Sequence, residues 1–219
     1  MLTLQEIKKH PQVKAYIEGA DKHLEEMGFT EHGFRHASLV ADIARNILDR
    51  LDYSSRDAQL AEIAGYLHDI GNVVNRYQHG HVSATLTAQI LTDLDMEPRE
   101  IATIIGAIGN HDEESGEPVN SVAAALILAD KSDVHYTRVR NEDPATFDIH
   151  DRVNYAAKHS FIEVAEKKDI ITLELEIDTE ISTVMEYFEI FLTRMMMCRQ
   201  AAQALDCAFQ LIINEVELL

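Results

Sequence analysis

The chain has 219 residues, 46% of them hydrophobic, and its 38 acidic and 19 basic side chains give a formal net charge of −19. Such a length and composition support one well-buried core and exclude a disordered or purely solvating role. A field this negative repels phosphate backbones and argues against long DNA or RNA as partners, while a small phosphorylated ligand stays open because bound cations reverse the local sign.

The opening Met1-Leu2-Thr3-Leu4-Gln5-Glu6 lacks a basic segment followed by an apolar run, so no secretory signal is expected. No apolar stretch approaches the ~20 residues of a membrane span. Residues 2 to 143 read as a succession of amphipathic helices, with apolar side chains three or four apart, as in Leu39, Ile43, Ile47 and Leu51, or Ile63, Leu67 and Ile70. Gly28 and Gly33 flank the start of the second main helix. Ser54 and Ser55 suit the cap of the third, and Gly71 suits its end. Pro98 fits the first turn of a helix running toward His111, and the polar stretch from Glu113 to Asn120 reads as a loop.

Past Lys158 the pattern changes. Residues Ser160 to Ala165 and Ile170 to Ile177 are rich in β-branched side chains and are joined by Glu166-Lys167-Lys168-Asp169, which predicts a β-hairpin. A last helix is predicted from Thr179 to Glu217. Its seam runs Ile181, Val184, Phe188, Phe191, Met195, Cys198, Ala202, Leu205, Phe209, Ile212, Val216 and Leu219 in steps of three and four, with a second apolar line through Tyr187, Ile190, Met197 and Ala201. Two apolar sides leave two options open: both are core of one subunit, or one meets a second copy in a homodimer. On such a helix Cys198 and Cys207 stand about 13 Å apart. That is beyond disulfide reach, so a reducing cytoplasm is the expected compartment. The expected fold is mainly α: a helical domain over residues 1–143, and over 144–219 a β-hairpin with a long helix packed on it as one compact unit.

Eleven histidines are present, and four of them, His36, His68, His79 and His111, fall at or near predicted helix ends. Asp69 follows His68 directly. Asp130 interrupts the apolar run Val122 to Ala129, where a carboxylate is costly unless it ligates a cation or pairs with Lys131 or Arg138. His36, His68, Asp69 and Asp130 together offer the imidazole and carboxylate mixture that suits Mn, Fe, Zn or Mg.

His36, then Leu67-His68-Asp69-Ile70-Gly71, then Leu128-Ala129-Asp130-Lys131, resembles the H…HD…D pattern of the HD-domain superfamily across residues 30 to 140. The resemblance implies a helical bundle whose pattern residues bind a metal that drives hydrolysis of phosphate esters, often in nucleotides. His79-Gly80-His81-Val82-Ser83-Ala84 and Asn110-His111-Asp112 are similar to the extra histidine segments of two-metal branches. By that likeness His36, His68, Asp69 and Asp130 hold a first ion and His79 and His111 complete a second site. Asp69 bridges the ions, and His81 competes with His79. His68 and Asp69 are then the catalytic pair, and Lys131 and Arg138, read as following Asp130 on one helix, are candidates for substrate phosphate. The cofactors implied are two divalent ions among Fe, Mn, Zn, Ni and Mg.

The pattern departs from the cyclic-dinucleotide branch at Asn72, where that branch has lysine, and at Gly116-Glu117-Pro118, where it has Gly-Tyr-Pro. Two other readings share these ligands, a mixed-valent di-iron oxygenase of HD type and a non-catalytic metal-binding regulator. Expected partners are a small phosphorylated substrate and, through the C-terminal helix, a second copy; nucleic acid and membrane are not expected.

Overall fold

The computed structural model describes residues 1–113 and 115–218. Among these the helical part comprises α1 (Leu4–Ile7), α2 (Pro11–Glu26), α3 (Phe34–Arg50), α4 (Ser55–Leu67), α5 (His79–Asp93), α6 (Pro98–Gly109), α7 (Ser121–Ser132) and α8 (Ile149–Ala156). Tight 3₁₀ turns cover Ile70–Val73, Tyr136–Arg138 and Pro144–Thr146. Side-chain caps start two of these helices: Ser54, expected there, accepts from the Asp57 amide, and Asn120, last residue of the expected loop, accepts from the Ala123 amide.

The most buried element is α7. Val122 to Ala129 are each 1% exposed or less, so a helix apolar all round runs through the middle of the bundle. Pairing of α3 with α4 relies on small residues. A Cβ on Gly65 would lie 2.8 Å from the Ala41 Cα, so glycine there sets how closely the two helices approach. Gly71 does not end α4, which stops at Leu67; it lies in the following 3₁₀ turn. Its role is close approach: a Cβ would fall 2.3 Å from the His79 carbonyl oxygen, and its amide donates to Ser83 Oγ at 2.8 Å.

Beyond α8 the chain forms β1 (Ala157–Val164) and β2 (Ile170–Ile177), the predicted hairpin, in antiparallel register with Ile162 opposite Leu173. The predicted helix to Glu217 is corrected. Helix α9 spans Val184–Ala204 and gives way to β3 (Ala208–Ile213) and β4 (Val216–Glu217). The sheet order is β1-β2-β3-β4, with β3 parallel to β2 and β4 antiparallel to β3.

The stop signal is an aspartate. Asp206 adopts φ 59°, the Cys207 amide reaches back to the Ala202 carbonyl at 2.9 Å, and the Asp206 amide reaches Gln203 at 3.0 Å. This is a left-handed cap of the kind glycine usually provides. The same device closes α3 at Asp52 and α5 at Asp95. Phe209, Leu211 and Ile213 then alternate inward as a strand, and Asn214 and Glu215, both at positive φ, make a two-residue turn.

The seam residues Val184 to Ala202 belong to α9, Ile181 precedes it and those from Leu205 on follow it, and Leu219 lies outside the described residues, as does Glu114 of the expected loop. Buried members of both predicted lines, Phe191, Met195, Cys198 and Ala202 with Tyr187, Met197 and Ala201, face the chain's own core. Cys207 therefore stands in a turn rather than a helix, and both cysteines are buried free thiols. Buried residues from Leu4 to Ile213 form one continuous cluster. Among the described residues no helix is long and apolar enough to cross a membrane.

Candidate metal centre

Helix ends bring the chemistry together. His36 projects from the first turn of α3, His68 caps the end of α4, Asp69 leads into the 3₁₀ turn, His79 opens α5, His111 follows α6, and Asp130 is in the last turn of α7. The docking of Gly71 on His79 and Ser83 fixes α5 against Asp69. The four histidines are all buried, His36 and His68 completely, and Asp69 is 9% exposed.

Two donor sets meet at Asp69. On one side His36 Nε2 lies 3.2 Å from His68 Nε2 and 3.4 Å from Asp130 Oδ1, and His68 Nε2 lies 3.3 Å from Asp69 Oδ2. On the other, His79 Nε2 lies 3.1 Å from His111 Nε2 and 3.2 Å from Asp69 Oδ1, with His111 Nε2 3.8 Å from the same oxygen. Within the cluster, His36, His68 and Asp130 form one group able to hold a metal ion, and His68, Asp69 and His111 another. His81, the competing candidate, is exposed on the outer side of α5.

The opposite ring nitrogens all face oxygens. His36 Nδ1 meets Asp133 Oδ2 at 2.6 Å, and His68, His79 and His111 place Nδ1 against the carbonyls of Gly65 (2.8 Å), Arg76 (3.1 Å) and Ile108 (2.6 Å). With Nδ1 engaged in this way, the four Nε2 atoms converge on one another and on the carboxylates inside the protein, an arrangement a cation relieves. Two donors about 2.1 Å from one ion, at tetrahedral to octahedral angles, lie about 3.0–3.4 Å apart. Five of the six separations above, all but that of His111 from Asp69, fit that spacing, so the residues present suit a divalent ion.

The electrostatics point the same way. Burial acts against the charged forms of Asp69 and Asp130. The facing His68 with hydrogen bonds from His111 and His79 for Asp69, and Lys131 with His36 and His68 for Asp130, outweigh it and hold both carboxyls well below their usual range. Burial also opposes a charged His68, but Asp69 and Asp130 raise it to about 10, so a proton at Nε2 stands where a cation would otherwise balance the carboxylates. His111, further from a second carboxylate, is lowered by burial.

Lys131 is 5% exposed, and its Nζ lies 2.7 Å from Asp130 Oδ2 and 3.2 Å from Glu113 Oε1. Arg138 is not on the helix of Asp130, because α7 ends at Ser132, and it does not face the cluster as a free cation. Its guanidinium is 3% exposed and donates to the carbonyls of Glu31 and Asp133, with the Asp133 carboxylate at 3.5 Å. Its predicted contact with substrate is therefore corrected to a structural role. Arg140 likewise pairs with Asp21 on α2.

Sequence reasoning missed Asp133, which accepts from His36 and receives both arms of Arg35 at 2.8 and 3.3 Å. Its spacing three residues after Asp130, one helical turn on, was the available signal. It also missed Asn72, whose Nδ2 donates to Asp69 Oδ1 at 3.0 Å, and Asp112, 3.4 Å from His79 Nδ1.

No curated protein matches the chain. Residues 33–135 match the family model described as HD domain, a span that runs from the cap of α3 through His36, His68, Asp69, His79, His111 and Asp130 to His135. HD domains bind divalent metals, and the superfamily consists in general of metal-dependent phosphohydrolases. Over this span, just under half of its length, the chain is similar to the HD-domain superfamily of metal-dependent hydrolases.

Proposed function

We propose that the protein hydrolyses a phosphate ester or anhydride bond in a small nucleotide-type molecule, using two divalent ions held by this cluster. The observation that supports the reading is the approach of two histidine pairs to Asp69, one pair beside each carboxylate oxygen. His36, His68, Asp69 and Asp130 would hold one ion, and His79, His111 and Asp69 the other. Such ions, among Fe, Mn, Zn, Ni and Mg, acidify water and polarise a phosphoryl group when bound.

The chain's own groups set the geometry. Asp133 and three backbone carbonyls keep the imidazoles in one tautomer, Asn72 holds Asp69, and Lys131 holds the outer oxygen of Asp130. Lys131 is thus a positioning residue as well as the cation nearest to an incoming phosphate on that side. Arg76, 3.5 Å from His79 Nε2 and stacked over Phe29, is the corresponding cation on the other.

The deciding experiment measures bound metals by elemental analysis and phosphate release over a nucleotide panel, for the wild type and Asp69→Ala. Two equivalents of metal and turnover, both lost in the variant, are expected. A metal-free variant that still turns over refutes the reading, and oxygen consumption by the iron-loaded protein without phosphate release replaces it with the oxygenase. A homodimer is proposed through the exposed stripe Met185, Leu192 and Met196 on α9. A monomer by light scattering at micromolar concentration removes it.

A further inference from the structure

Helix α3 carries two functions on two sides. Its first turn supplies His36 to the metal cluster. Its outer stripe, through Leu39, Ile43 and Ile47, faces the edge strand β1 across a cleft of about 600 Å³. On β1 the residues facing the cleft are Ser160, Ile162 and Val164, the set opposite Leu175, Leu173 and Ile171 in the hairpin and so on its core side. Their partners on β2 are fully buried, while Ile162 and Val164 themselves stay only half-buried because α3 stands off from them. An apolar slot of this volume is in the range of small-molecule sites.

Polar groups share the lining, Asn46 beside the isoleucines and Ser160 on β1, and an arginine stands toward each end of the α3 wall. Arg35 and Arg50 are 15 residues apart on α3, about 22 Å along the axis. Of the three arginines on this helix, Arg35 and Arg45 pair with carboxylates, whereas Arg50 has no such partner among the described residues. In a chain of net charge −19 an unpaired guanidinium beside an apolar slot is a selective attraction for an anion. Of the carboxylates at the rim, Asp133 is already neutralised by Arg35 and Arg138, and Glu163 is exposed to solvent.

We propose that this cleft is a second ligand site, taking a small organic anion with an apolar body, its charge on Arg50 and its body between Ile43, Ile47, Ile162 and Val164. The wall at the opposite end is Arg35 and Asp133, and Asp133 is the acceptor that orients His36. A ligand that excludes water from the Arg35–Asp133 pair strengthens it and holds His36 in its ligating position, so occupancy tightens metal binding. This second half rests on the metal reading above; the ligand site does not.

The test uses two fluorescent probes of one shape, anionic anilinonaphthalene sulfonate and neutral phenylnaphthylamine. Saturable binding of one sulfonate probe per chain is expected. Arg50→Ala weakens the sulfonate about tenfold while leaving the neutral probe unchanged, as loss of one charge-assisted contact requires. Ile43→Trp fills the slot and removes both probes with metal content intact. Equal binding to the wild type and both variants overturns the site. Calorimetric titration with Mn²⁺ then reads the coupling: saturating sulfonate raises Mn²⁺ affinity in the wild type and not in Ile43→Trp. An unchanged affinity overturns the coupling, and failure of Mn²⁺ to bind at all overturns the metal reading instead.

Discussion

Replacing Asp133 by Asn removes a charge that two arginines and the His36 imidazole share. The carboxylate accepts from His36 Nδ1 at 2.6 Å, takes both arms of Arg35 and lies 3.5 Å from Arg138 Nε, and only 3% of it is exposed. Burial works against its charge, but Arg138, the His36 hydrogen bond and Arg35 hold its carboxyl far below the usual range. It is therefore ionised at any working pH, and the effect of the substitution is flat from pH 5 to 9. Two losses are expected. An orienting carboxylate behind a metal-ligating histidine contributes about 10–100-fold in metal affinity. That corresponds to about 1.4–2.7 kcal/mol.

Breaking a buried pair costs about 3–5 kcal/mol. The lower end applies because Arg138 keeps its carbonyl acceptors and Arg35 keeps Glu31. For a chain of this size about 3 kcal/mol lowers the melting temperature by about 6–12 °C. Chelator competition with Mn²⁺ measures the first loss and thermal unfolding of the metal-free protein the second. Arg35→Gln, which leaves His36 its acceptor, serves as the control, with a smaller loss of stability and less than a tenfold loss of affinity. An Asn variant that binds Mn²⁺ like the wild type refutes the orienting role, whatever its melting temperature.

Asp206 occupies a left-handed cap and adds a negative charge at the C-terminal end of α9, so Asp206→Gly relieves both and is expected to raise stability by about 1 kcal/mol in urea unfolding. A decrease would show that the aspartate side chain itself closes the helix. Arg56 donates to both oxygens of Glu100, and that bond is the main reason the Glu100 carboxyl is held below its ordinary 4.5. A depressed carboxyl stabilises above its unfolded value and loses that contribution as pH falls through the folded one. Arg56→Gln should therefore cost about 1 kcal/mol at pH 7 and progressively less as the pH falls below 4.5. A deficit independent of pH points to packing instead. Burial pushes the Cys198 thiol up to about 12, so native protein at pH 8 should resist iodoacetamide at that position by mass spectrometry, and labelling faster than unfolding contradicts its burial.

The helical half of the fold was legible because its punctuation was chemical. Ser54 and Pro98 start helices by capping or ring geometry, and those preferences act over one turn. The end of α9 was not. Leu205, Phe209, Ile212 and Val216 keep a three-and-four rhythm, while Phe209, Leu211 and Ile213 keep a period of two in the same residues. A short apolar stretch satisfies both, and the arbiter here is a cap residue, Asp206, in a conformation that glycine normally marks. Asp52 and Asp95 close α3 and α5 in the same way, so Leu-Asp at the end of an apolar rhythm is this chain's own stop signal.

The site divides along a similar line. The six expected residues do come together in one cluster, because their order along the chain places each at a helix end that the bundle turns inward. What surrounds them depends on where α7 ends. With the helix continued past Ser132, Arg138 reads as a cation facing the substrate; with the chain turning there, the same guanidinium reaches back to Glu31 and Asp133. The turn thus converts a presumed substrate contact into a clamp on the residue that orients His36. Metal donors, Asp133, Arg35 and the cleft beside β1 then form one connected chain of contacts. The proposed donor His36 thus rests on Asp133, and Asp133 in turn rests on the two arginines behind it.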